Sequence, residues 1–403
     1  MIHRLLKEEM LERAKHKPVI FLTGPRQCGK TTLVQETFPH YKYVLLEREH
    51  IREQIAADVE GFLLDAMKNE QGLILDEFQH IPSITSYLQG IVDDNPRPGF
   101  FILTGSQNFL MMKQIKQTLT GRAALIQMLP LSLTEAAPTD SIEEVMFRGL
   151  YPWPHSRQNN HVEIQKWAFE YVNTYLERDV RSLEKIKDLR KFHRFLGLLA
   201  ARVGCLLNTS ILANECDITT EQAEEWISVL ETCYVIMLVE PYYENFNKTL
   251  VKSPKIYFVD TALICSLLRI EDPTTLKTST FYGAIFENLI IMELRKANVN
   301  FGDYGTNIYF WRDIEGNEVD AVLKYGLYLR GVEIKSKENV KPSATQALAY
   351  WANNAKKHTP AHLYVIYGGE ENVTIDDTTW VSWRQCEAVN LRESNPRSVI
   401  EVK

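Results

Sequence analysis

The sequence predicts an α/β protein in three parts: an N-terminal domain on a parallel sheet, a helical middle ending in a β-wing, and a C-terminal α/β module. Three observations predict it. Up to Pro138, short apolar runs suited to strands buried on both faces alternate with helical patterns. Beyond Pro138 that alternation gives way to helix, helix, turn, helix and strand. Further on, a long apolar helix is followed by strands that carry acids. These shifts divide the chain into residues 1–140, 141–275 and 276–403.

Bulk properties bound the reading. A chain of 403 residues exceeds one average domain, and 45% apolar residues suffice to build cores, which excludes a disordered protein. No apolar run reaches the length that spans a bilayer, so no membrane role is expected. The opening "MIHRLLKEEMLERAKHK" is charged throughout and is no secretory signal. The cysteines Cys28, Cys205, Cys216, Cys233, Cys265 and Cys386 form no C-x-x-C pair, so neither a zinc ribbon nor a disulfide framework is suggested. A reduced, cytoplasmic protein is expected. With a net charge of -7, any binding of DNA or RNA needs a local basic patch.

In the first part, the apolar run Val19–Leu22 leads into a loop and then a helical pattern from Thr31, matching G-x-x-x-x-G-K-T in a strand–loop–helix setting. Gly24, Pro25, Arg26, Gln27, Cys28, Gly29, Lys30, Thr31 and Thr32 form the candidate nucleotide-binding segment. Glycines let the backbone approach a phosphate, backbone N–H groups ring it, and the helix N-terminus adds its positive end. Lys30 is placed to reach the β- and γ-phosphates, and Thr31 to bind Mg²⁺. A second strand, Leu73–Leu75, delivers Asp76 for the metal's water shell and Glu77 to activate the attacking water. A third, "GFFILTGSQNF", carries Thr104 and Ser106 at its strand's end, candidates to sense the γ-phosphate, with helix capping by Ser106 as the alternative. Arg122 directly precedes another strand. It is a candidate for transition-state stabilisation, in cis or from a neighbouring copy in a homo-oligomer, or it is a surface residue.

"GPRQCGKTT", "LILDEFQ", "ILTGSQNFL", "LTGR" and "LPLSLTE", followed downstream by "YPWP", "YLERDVR" and "KSPKIYFVDTAL", resemble the prokaryotic AAA-type ATPases that carry a C-terminal domain of unknown function. The resemblance covers essentially the whole chain. It implies an AAA-type core, ATP and Mg²⁺ as cofactors, a winged-helix middle and a restriction-endonuclease-like C-terminal module.

In the middle, Phe169, Val172, Tyr175 and Leu176 are expected to line one apolar helix face, with Glu177, Arg178, Asp179 and Arg181 at its far end. Ser210–Glu215 and Thr220–Thr232 read as the second and third helices of a winged helix–turn–helix, with "VIMLV" opening the wing. In DNA readers the third helix enters the major groove. Here its exposed start carries Glu221, Glu224 and Glu225, which oppose phosphate. A protein–protein or interdomain role is therefore expected ahead of DNA reading. Three lysines in "NKTLVKSPK" could touch a phosphate backbone or simply be solvated. Asp260 is expected to cap the helix that follows it.

In the C-terminal part, Glu287 shares a helix face with Ile290, Ile291 and Leu294. A carboxylate there needs an ion-pair partner, such as Lys335, or a metal. Asp320 on one strand and Glu333 on the next can converge, and side-chain alternation puts Lys335 on the same face as Glu333. Such carboxylates make a hard oxygen site for Mg²⁺, with Lys335 orienting a water or stabilising charge. Gln346 and Tyr350 share a face of the next helix. This ordered set resembles the PD-(D/E)xK nucleases of the RecB type with their Q-x-x-x-Y signature, with Val319 in place of the proline. The resemblance assigns Glu287, Asp320 and Glu333 to a nuclease metal. Two functions follow as expectations: an ATPase coupled to nucleic-acid binding or cleavage, and an ATP-driven switch on a protein partner with a non-cleaving scaffold.

Overall fold

A computed structural model describes residues 2–105, 118–156, 160–176, 188–243, 252–302, 307–325, 328–339, 345–355 and 361–390. The chain forms two compact units. The first comprises residues 1–131 with the short segments 232–234 and 299–304, and the second comprises the remainder.

The first unit is built on five strands: β1 (Val19–Thr23), β2 (Lys42–Leu45), β3 (Leu73–Asp76), β4 (Phe101–Gly105) and β5 (Ala123–Gln127). They run in the order β2-β3-β4-β1-β5, and every pairing is parallel. Every residue of β1, β3 and β4 is buried, which is why those stretches are continuously apolar rather than alternating. Phe21 meets Phe78 edge to face at 5.1 Å, and Leu75, Leu103 and Leu88 fill the space around them. The parallel register aligns the carboxyl ends of β1, β3 and β4 along one rim, where open α/β sheets take their ligands.

In the second unit, helix Leu189–Ala200 is capped by Asp188 and buries Phe192, Phe195, Leu196 and Leu199. Helix Thr209–Cys216 ends at Asp217, which turns with φ 55°. Thr219 and Gln222 then cap helix Thr220–Thr232 reciprocally. Trp226 meets Phe192 and Phe195 edge-on at 5.3 Å each, locking the first and third helices together. Strands β6 (Ile236–Val239) and β7 (Lys255–Phe258) follow as an antiparallel pair. Asp260 caps helix Thr261–Leu267 through Ala262 N at 2.9 Å and also accepts from Leu150 N at 2.7 Å. Gly149, at φ +68°, is required there, because a Cβ would lie 2.0 Å from the Asp260 carboxylate.

One expected face is displaced. Helix His161–Glu170 buries Ile164, Trp167 and Ala168, and Tyr171 and Val172 continue that stripe into a π-helical turn, whereas Phe169 is exposed. Spacings of three and four starting from Ile164 define the buried stripe, and Phe169 falls one position off it. The side chains of Tyr175 and Leu176, and residues 177–187, lie outside the described residues.

The C-terminal sheet has strands β8 (Ile308–Arg312), β9 (Glu318–Tyr325), β10 (Tyr328–Lys335), β11 (Ala361–Tyr367), β12 (Val373–Ile375) and β13 (Thr378–Ser382), ordered β12-β13-β11-β10-β9-β8. β10 runs antiparallel to β9 and parallel to β11. Helix Gln346–Ala355 lays Leu348 and Trp351 on the sheet. Gly331 on β10 makes room for that indole, since a Cβ would sit 2.5 Å from the ring.

Candidate functional site

At the first site, backbone geometry comes first. A Cβ on Gly24 would stand 2.0 Å from Met128 O, and Gly29 adopts φ 100° at the N-cap of helix Lys30–Thr37, so the loop needs both glycines. Lys30 is buried and its ammonium donates to Gly24 O (3.0 Å) and Pro25 O (2.8 Å). Gln27, at φ 60°, and Thr32 are exposed, while Cys28 is buried against Met128 O at 3.7 Å.

Asp76, at the end of β3, is buried and accepts three hydroxyls. Thr31 Oγ1 and Tyr43 OH each donate to Oδ2 at 2.7 Å, and Thr104 Oγ1 donates to Oδ1. Thr104 thus joins the site through Asp76, while Ser106 lies outside the described residues. Glu77 follows with φ 56°, an uncommon conformation for a non-glycine residue, and accepts from Gln79 Nε2. Thr31 and Thr104 therefore meet at Asp76, while Lys30 is folded onto its own loop.

Two members were missed from sequence. Tyr43 on β2 carries no motif, and only the β2–β3 pairing brings it to Asp76. Burial, reinforced by the Asp76 carboxylate, pushes its hydroxyl pKa above the usual tyrosine value. Arg4 is buried and ties Cys28 O (3.1 Å) to Leu129 O (2.7 Å), fastening the loop to the segment after β5.

Arg122 lies away from this site. It precedes β5 at the sheet's amino end, where Val19 N donates to its carbonyl at 3.4 Å, whereas the phosphate loop leaves β1 at the other end. Five residues of strand separate the two ends, roughly 17 Å at about 3.3 Å per residue. Its guanidinium pairs with both oxygens of Asp93, at 2.5 and 2.7 Å. That placement supports the surface reading over a role in cis at this chain's own phosphate site.

The second acidic constellation also assembles, with different partners. Asp320 on β9 accepts from Ile334 N at 2.8 Å and lies 3.9 Å from Lys335 Nζ. Lys335 pairs with Glu333 Oε1, while Glu333 Oε2 is buried with no hydrogen-bond partner. Burial, then the charges of Glu333 and Glu287, push the Asp320 carboxyl well above the usual carboxylate range, and burial raises Glu333. Glu287 Oε1 accepts from Lys255 Nζ (3.1 Å) and Tyr257 OH (2.7 Å), so its partner is Lys255 rather than the expected Lys335. Lys255 is 2% exposed, which removes it from the lysines offered to a phosphate backbone. Gln346 is exposed, and Tyr350 packs beside Trp311 at 6.2 Å between ring centroids.

Among the described residues, no group of three His, Cys, Asp or Glu side chains is placed to hold a metal. The expected set of Glu287, Asp320 and Glu333 is therefore not assembled as ligands, because Glu287 is engaged by Lys255 and Tyr257. Among those residues, too, no helix is long and apolar enough to cross a membrane.

A glycine-dependent loop, a lysine folded over it and a hydroxyl-ringed aspartate at the next strand's end define a P-loop nucleotide site on a parallel sheet. Residues 16–137 match the family model described as an AAA domain, a match that supports ATP binding and hydrolysis. Residues 139–274 and 282–386 match two domains of unknown function, DUF8612 and DUF4143. The chain is 27% identical over 380 residues to the uncharacterized protein Rv2008c of Mycobacterium tuberculosis, covering 94% of this chain and 83% of that one. It is 26% identical over 307 residues to the uncharacterized protein MJ1544 of Methanocaldococcus jannaschii, covering 68% and 65%. Among solved structures, the Walker-type ATPase PABY2304 of Pyrococcus abyssi aligns with TM-score 0.42 and 15% identity, covering 66% of this chain and 95% of that one.

Proposed function

We propose that this protein is an ATP-driven conformational switch in which Mg²⁺-dependent hydrolysis at the P-loop acts on the second unit and, through it, on a protein partner. The carrying observation is the convergence of Thr31, Tyr43 and Thr104 on Asp76. Lys30 leaves its loop carbonyls for the β- and γ-phosphates, and the loop N–H groups and helix end bind the phosphate chain. The donor set fits magnesium: Thr31 supplies a hydroxyl and Asp76 the outer carboxylate. Bound there, Mg²⁺ would supply charge neutralisation to the phosphate chain. Glu77 takes the proton of the attacking water, and Thr104 holds Asp76 in orientation.

A winged-helix middle (141–275) and a non-cleaving, nuclease-like C-terminal module (276–403) belong to this reading. Support comes from the element order of the middle, from the six-stranded mixed sheet and from the engagement of Glu287 by a lysine. Glu221, Glu224 and Glu225 are exposed at the start of the third helix, which disfavours the DNA-coupled alternative.

Lys30→Ala is expected to abolish turnover, and Glu77→Gln to bind ATP and hydrolyse it at least about a hundredfold more slowly, in line with loss of a general base. Unchanged hydrolysis in both variants sinks the reading. The DNA alternative gains the upper hand if purified protein with Mg²⁺ or Mn²⁺ cleaves plasmid or single-stranded DNA and Asp320→Ala stops it.

A further inference from the structure

We propose that Lys255 is a resident cation which closes the acidic site around Asp320 and Glu333 to divalent metal. It reaches that site from β7, outside the sheet that carries the acids. Its ammonium pairs with Glu287 Oε1 at 3.1 Å and with Glu318, which Arg312 holds from the other side at 3.2 Å. Tyr257, two residues along the same strand and likewise buried, donates to the same Glu287 oxygen at 2.7 Å. The Phe310 ring lies 5.6 Å from the ammonium and covers it. Gly204 lies beside the pair, and its N–H donates to Ile256 O at 2.8 Å, between Lys255 and Tyr257.

The chemistry follows from charge. With all four carboxyls ionised, Glu287, Glu318, Asp320 and Glu333 are met by Lys255, Lys335 and Arg312, so one negative charge stays uncompensated. Without Lys255 two stay uncompensated, which is the charge of a divalent ion. The buried, unpartnered Glu333 Oε2 marks where such an ion would find a first oxygen ligand. Lys255 denies it the next one: a lysine is only a donor, and it occupies Glu287 Oε1. A buried ammonium between carboxylates does not leave at low cost, because departure strands unpaired charges.

The test is Mn²⁺ binding to the full-length protein without nucleotide, followed by electron paramagnetic resonance. It does not depend on ATP turnover, so it stands or falls apart from the proposed switch. Lys255→Met is expected to bind one Mn²⁺ at least about tenfold more tightly than the parent protein, and adding Glu333→Gln to cancel the gain. Lys255→Arg, which keeps the charge, is expected to match the parent. A folded Lys255→Met protein with no gain overturns the proposal. Should that variant not fold, Glu333→Gln alone decides: unchanged Mn²⁺ binding relative to the parent supports the closed site, and a loss overturns it.

Discussion

At the scale of single residues, Asp76 shows how one carboxylate organises a site. Its three hydroxyl partners come from a helix and two different strands, so its orientation reports the packing of the whole rim. Tyr43 joins the site through Asp76 alone. Tyr43→Phe removes one hydrogen bond to a charged acceptor, worth about 1.5–3 kcal/mol. It is expected to raise the Mg²⁺ concentration needed for half-maximal ATPase activity several-fold with a smaller effect on kcat, measured by titrating Mg²⁺ at saturating ATP. An unchanged Mg²⁺ requirement would remove Tyr43 from the site.

Asp260 gives a residue-scale pH prediction. Burial pushes its carboxyl up to about 6 despite N–H bonds from Leu150 and Ala262. Because the folded value is raised, the folded state holds the proton more tightly than the unfolded one. The stability from this group is therefore complete below the ordinary carboxylate range and is lost as pH rises through about 6. The difference in urea stability between parent and Asp260→Asn is expected to shift against the parent by on the order of 1–3 kcal/mol between pH 4 and pH 7. Parallel pH profiles would contradict it.

At the scale of elements, helix Tyr282–Asn300 carries a fully buried ion pair. Glu293 and Lys296, one turn apart, meet at 2.7 Å, and Glu293 also accepts from Leu133 N at 2.7 Å. Desolvation raises the Glu293 carboxyl, and the lysine opposes that shift. Removing one partner strands a charge, so Lys296→Met is expected to cost about 3–5 kcal/mol in chemical denaturation. Glu293→Leu combined with Lys296→Met should be less destabilising than Lys296→Met alone.

Elements were mostly legible in the sequence. The buried strands Val19–Thr23, Leu73–Asp76 and Phe101–Gly105 are read from continuous apolar runs, and Thr220–Thr232 from its capping residues and spacing. On the expected face that ends helix His161–Glu170, Val172 is buried but Phe169 is exposed, because closely spaced apolar side chains there admit more than one stripe.

At the scale of the molecule, the placement of Arg122 makes its own prediction. Held by Asp93 at the far end of the sheet, it does not serve its own chain's phosphates. In dilute protein, where chains are monomeric, Arg122→Ala is expected to match the parent's ATP turnover within about twofold, since an exposed ion pair is worth only about 0–1 kcal/mol. A collapse of activity in those monomers would overturn that placement. Any deficit confined to high concentration would assign the residue to a neighbouring subunit's site.

The sequence by itself determined the phosphate chemistry, because a P-loop is local. Gly24 to Thr31 are contiguous, and the strand–loop–helix geometry that uses them follows from their own backbone preferences. It also determined that Asp320, Glu333 and Lys335 share a site, because alternation along paired strands fixes which side chains meet. Only the tertiary structure decided what faces those acids. Lys255 lies 32 residues before Glu287, on a strand whose pattern reads as an ordinary wing, and nothing in its neighbours marks it as buried. Tyr43 and Arg4 were hidden for the same reason. A long-range partner is chosen by packing, and packing leaves no periodicity in the sequence around the residue it selects.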